Sequence, residues 1–132
     1  MANKKSKGIE LEIGGNASGL SKALTSVNKQ LGATQKELNQ VDRLLKLDPK
    51  NTELLAQKQA LLSTSIETTE EKLNALKDAK TKADSDMQNG TEVNEKQYRQ
   101  LQREIVETEN SLKKLKDESE RANSVLLKAA NA

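Results

Sequence analysis

Leu20, Leu24, Val27, Leu31, Leu38, Val41 and Leu45 fall at steps of four and three, with Thr34 filling the single gap. Apolar residues at that spacing draw one narrow stripe along a helix, the a/d seam of a coiled coil. A stripe so narrow is buried by laying it against another stripe, so the chain must pack helix on helix. Composition points the same way. The 132 residues are 33% hydrophobic, with one Tyr and neither Phe nor Trp, which is too little for a thick globular core.

The first seam ends in "LLKLDPKNTELL", where Pro49, the one proline of the chain, has no N–H to donate and pushes Asp48 away from helical dihedrals. Asp48 can cap a new helix with Pro49 at its first position, or Asn51 can cap one starting at Thr52. A second and weaker seam follows, made of Leu55, Leu62, Ile66, Thr69, Leu73, Leu76, Ala83 and Met87, with Gln59 and Lys80 as polar intruders. It stops at Asn89-Gly90, where glycine suits a left-handed helix terminator. Asn94 then reads as an N-cap with Gln97 at the third helical position, and Val93 is set to meet Tyr98, which makes a capping box with a hydrophobic staple. The third seam is Tyr98, Leu101, Ile105, Thr108, Leu112, Leu115, Ala122 and Leu126, with Ser119 as its polar exception.

Before the first seam, residues 1–7 form a basic arm with nothing to bury, and Ile9, Leu11 and Ile13 alternate with Glu10 and Glu12 in the period of a half-buried strand over 8–14. Ser18 is the favoured N-cap of the first helix, with Asn16 as the alternative. The expected fold is all-α: three long helices, about 18–47, 52–88 and 94–128, in antiparallel coiled-coil-like hairpins across 17–128, preceded by a short N-terminal β-strand. Pro49 and Gly90 mark the turns.

Three segments share one pattern, "LGATQKELNQV", "IETTEEKLNAL" and "IVETENSLKKL". Folding back at both breaks would gather Thr34, Thr69 and Thr108 in one layer and set Val41 opposite Leu62 and Val27 opposite Leu76. Acid-before-base pairs at i and i+4, such as Asp42 with Lys46, Glu95 with Arg99 and Glu109 with Lys113, support the helix surfaces.

Catalytic chemistry has little to work with. Cysteine and histidine are both absent, which removes thiol nucleophiles, imidazole bases and most zinc and haem ligation. Glu70 and Glu71 lie on a solvated helix with no pocket to shift a carboxylate pKa, and "GGNASG" lacks the Lys-Ser/Thr ending of a phosphate loop. The 22 basic and 20 acidic residues nearly balance, so neither nucleic acid nor membrane is favoured as a partner. The residues call for no enzyme activity, cofactor, metal or small-molecule substrate. The seams also permit self-association.

"IELEIGGNASGLSKALTSVNKQL", "VDRLLKLDPKNTELLAQKQALL" and "NEKQYRQLQREIVETENSLKKLKDE" together resemble the N-terminal region of tail tape measure proteins from long-tailed phages and prophages of Gram-positive bacteria, over roughly residues 8–120. The resemblance implies a structural, mostly helical protein of the virion tail. Such a protein sets tail length during assembly in the host cytoplasm, with tail tube and tail assembly chaperone proteins as partners. Members of that family run to many hundreds of residues, so the chain is expected to be an N-terminal piece or a truncated prophage product. The alternative reading is a helical binding module, either chaperone-like or a secreted helical hairpin.

Overall fold

The computed structural model describes residues 17–131, with side chains from Leu20 onward. They form α1 (Ala17–Leu47), α2 (Thr52–Gln88) and α3 (Glu95–Ala130). The all-α expectation agrees with these helices, but its N-terminal strand needs correction, because the described residues contain no strand. A lone strand leaves its backbone groups unpaired, and none of the three helices offers an edge to pair with. Segment 8–14 itself, like the arm before it, lies outside the described residues. Helix α1 starts at Ala17, which puts Ser18 inside it, and Asn16 also lies outside the described residues.

Local chemistry accounts for both breaks. After α1, the Asn51 N–H donates to the Asp48 carbonyl at 3.2 Å, closing a turn around Pro49 and Lys50. Asn51, not Asp48, caps α2: its Oδ1 accepts from the Leu54 N–H at 3.0 Å, and its side-chain amide donates to Asp48 at 3.1 Å. At the end of α2, the Gly90 N–H reaches the Met87 carbonyl at 3.2 Å and the Thr91 N–H reaches the Asp86 carbonyl at 2.8 Å. That pair of bonds is a Schellman motif, and Gly90 takes the positive φ of 83° that the motif requires. Asn94 Oδ1 accepts from the Gln97 N–H at 3.0 Å and so caps α3.

The helices contribute to two compact units. In the first, the described residues up to Val27 join Glu71–Glu109. Its buried apolar residues are Leu24, Leu73, Leu76, Ala83, Leu101 and Ile105. Asp84 meets Tyr98 and Lys77 meets Glu109 there, so partners recede from the α2–α3 turn in both directions, which makes that helix pair antiparallel. The second unit comprises Asn28–Glu70 and Asn110–Ala132. Asp42 pairs with Lys58 at 2.9 Å near the α1–α2 turn, and farther along Leu38, Leu62 and Ala122 form a buried cluster with Leu61 and Leu115 against it. That hairpin is antiparallel as well. The α1 residue in the cluster around Leu62 is Leu38, one helical turn before Val41, because the turn is centred between Leu47 and Thr52, earlier than a threonine layer would place it.

Gly32 and Gly90 should respond oppositely to alanine. Gly32 lies inside α1 with open space where a Cβ would go, so Gly32→Ala should stabilise the protein by about 0.5–1 kcal/mol. Gly90→Ala places a Cβ on a left-handed backbone and should destabilise by about 1–2 kcal/mol. Urea unfolding of both variants checks this, and shifts of the same sign would contradict the assignment.

Candidate functional site

The sequence-derived seam residues divide into two groups by burial. Leu24, Leu38, Val41, Leu62, Leu73, Leu76, Leu101 and Ile105 are buried, and Leu20, Val27, Leu31, Leu45, Ile66, Leu112 and Leu115 are half-buried. Pro49 and Gly90 lie in the two turns. Thr34 and Thr69 are buried in the second unit and Thr108 in the first. Among the described residues, no group of three or more acidic residues is placed to hold a metal, and no helix is long and apolar enough to cross a membrane.

Chemical character is concentrated where the seams turn polar. In the second unit the intruder of α2 meets the exception of α3: Gln59 Nε2 donates to Ser119 Oγ at 2.8 Å. Gln59 Oε1 is buried there without a partner. Beside it, Lys58 Nζ lies 2.9 Å from Asp42 and 3.8 Å from Glu118, so one ammonium bridges the carboxylates of two helices. In the first unit the other intruder, Lys80, pairs with Asp84 at 3.0 Å and lies 5.7 Å from the centre of the Tyr98 ring. The Tyr98 hydroxyl donates a short hydrogen bond to the same carboxylate. These contacts fix Tyr98 as a helix-entry residue with a polar tip, its ring lining a small cleft with Val93 and Met87.

Charge shifts show what the Lys80–Asp84–Tyr98 group can do. The phenol, then the ammonium, hold the Asp84 carboxyl below its ordinary range, and bonds to Asp84, then Tyr98, hold Lys80 above its own. Both shifts move away from neutral pH. A proton-transfer pair requires the opposite, so the group acts as a clamp.

A second cleft, of about 310 Å³, opens in the second unit between Leu45, Pro49, Leu55, Ala122 and Val125, with Lys58, Glu118 and Arg121 on its rim. Nearby on the last turns of α1, Leu44 and Leu47 are 49% and 83% exposed. The exposed end of α1 could be read from "LLKL", since adjacent leucines cannot all face one partner. Buried Ser65 and Thr68 were not part of the α2 seam. Thr68 is satisfied by donating to the Thr64 carbonyl at 2.8 Å, and its local signal is that of any surface threonine.

Over 110 residues the chain is 30% identical to a protein of Lactococcus phage SK1 described as a probable tape measure protein. The alignment takes in 83% of this chain and 11% of that protein, so the chain spans about a ninth of its relative. No protein-family model matches the chain, and no solved structure matches it.

The clamp predicts a pH dependence whose sign follows from the two shifts. Asp84 contributes stability above the ordinary carboxylate pKa of about 3.9, and loses it as pH falls through its lower folded value. Lys80 contributes below the ordinary lysine pKa of about 10.4, and loses it as pH rises through its higher folded value. Tyr98→Phe should therefore lower Tm at pH 7, with the gap to the parent narrowing as pH falls through the lowered Asp84 pKa. Thermal melts across pH check this, and a gap that persists unchanged into acid would contradict the clamp.

Proposed function

We propose that the chain is a structural, non-enzymatic component of phage tail assembly, corresponding to the N-terminal part of a tape measure protein. The observation that carries this reading is the 30% identity over 110 residues to the phage SK1 protein, an alignment long enough to take in most of the helical region. Helix is suited to such a role because each residue adds about 1.5 Å, so chain length translates into distance. In this reading the protein acts in the virion tail after assembly in the host cytoplasm. Its partners are the tail tube and tail assembly chaperone proteins, and its seam leucines are packing residues of the assembly. A helical binding module, chaperone-like or a secreted hairpin, is the alternative, favoured by the apolar cleft beside Pro49 and the exposed Leu47.

Two readouts test the proposal on tails produced by cells that encode the chain. Mass spectrometry of purified tails should detect peptides from residues 17–131, and their absence would overturn the tail assignment. An in-frame duplication of residues 17–131 should lengthen the tails, by at most ~170 Å if every added residue is helical and extended, as measured by electron microscopy. Tails of unchanged length would refute the length-setting part.

A further inference from the structure

The second unit is held together by two kinds of contact. On its α1–α2 side Leu38, Val41, Leu55 and Leu62 are buried, together with Thr34, Ser65, Thr68 and Thr69, and Lys58 pairs with Asp42; Leu38 and Leu62 owe part of that burial to Ala122 and Leu115 of α3. Against it lies Asn110–Ala130 of α3, whose one buried apolar side chain is Ala122. Leu112, Leu115 and Leu126 are half covered, and Val125 and Leu127 are 47% and 54% exposed. A methyl group contributes little hydrophobic attachment beside a whole leucine.

Polar contacts add to Ala122 and the half-covered leucines in holding this segment down. Lys116 reaches Glu70 at 3.7 Å and Glu118 reaches Lys58 at 3.8 Å, both at solvent-accessible positions where ion pairs contribute little. The Gln59–Ser119 hydrogen bond is better shielded, yet it leaves Gln59 Oε1 buried without a partner. Lifting the segment would hydrate that oxygen, and Lys58 would keep Asp42 as its counter-ion. Release therefore relieves one polar penalty and creates no unpaired buried charge. Regions with few buried apolar contacts are the ones that open below the global unfolding free energy, and a helix end can fray inward from its terminus.

We infer that Asn110–Ala130 is a strap, latched by Gln59 and Ser119, that opens while the α1–α2 hairpin of the second unit stays folded. Opening it bares Leu62 and Leu38, which Ala122 and Leu115 otherwise cover, so the strap gates an apolar face on the hairpin. This inference stands on the packing alone and does not depend on a role in phage tails.

Native-state hydrogen exchange on the whole chain tests it, using two variants with opposite footprints. In the parent protein, amides of Leu112–Leu126 should exchange faster than those of Leu38–Val41 and Leu55–Leu62. Ser119→Ala removes the latch and should speed strap exchange by about five- to thirty-fold. Gly32→Ala, in open space on α1, should slow hairpin exchange by up to about five-fold and leave the strap unchanged. Equal protection of strap and hairpin in the parent, or strap and hairpin slowed together by Gly32→Ala, would show one cooperative unit and overturn the strap.

Discussion

Register is the constraint on which the rest of this structure depends. A seam of leucines repeating at steps of three and four can slide by a heptad against another such seam and still bury leucine against leucine, so burial alone leaves the pairing degenerate. Polar residues within the seams remove that degeneracy. Gln59 has a partner only if Ser119 is beside it, and the Asp84 carboxylate receives the Tyr98 hydroxyl in one alignment of α2 and α3. A slip in either unit would forfeit these hydrogen bonds, each worth about 0.5–1.5 kcal/mol.

The turns restrict how the helices can meet, and the polar contacts select among the remaining alignments. Asn51 and Asn94 start helices by accepting first-turn N–H groups, and Gly90 ends one by adopting a backbone that other residues resist. With these stops fixed, acids that have an i,i+4 base on their own helix pair across the hairpins instead. Asp42 reaches Lys58 and Glu109 reaches Lys77 across the hairpins, and Glu95–Arg99 remains as an i,i+4 pair at 4.0 Å. A chain with so thin a core gains little per contact, so its stability is spread over many small terms. That makes local opening a natural property of the weaker attachments.

Features set by nearby residues were legible in the sequence. The Asn94 cap and the glycine terminator at Gly90 follow from a few adjacent positions, and both appear in the hydrogen bonding. Gln59, Lys80 and Ser119 stood out as polar residues in apolar series, but nothing within one helix says which of them meet. The partner of Gln59 lies 60 residues away, and the offset between helices depends on where each turn is centred. That is why Leu38, not Val41, shares the cluster with Leu62. Helix α2 was the least legible element, since it packs against helices on two sides in the second unit and buries Ser65 and Thr68 outside any single stripe. The alternation over 8–14 illustrates the opposite limit, because a local period of two cannot supply the neighbouring strand that a sheet requires.

Because the chain contains no cysteine, the α2–α3 register can be tested with two engineered cysteine pairs. The variant carrying Gln59→Cys and Ser119→Cys would be oxidised in dilute solution and its mass compared with that of Gln57→Cys with Ser119→Cys, whose first site points off the seam. A crosslinked monomer is expected for the first pair and none for the second. Crosslinked dimers without crosslinked monomer, or equal monomer crosslinking by both pairs, would contradict an intrachain hairpin whose register is set by Gln59 and Ser119.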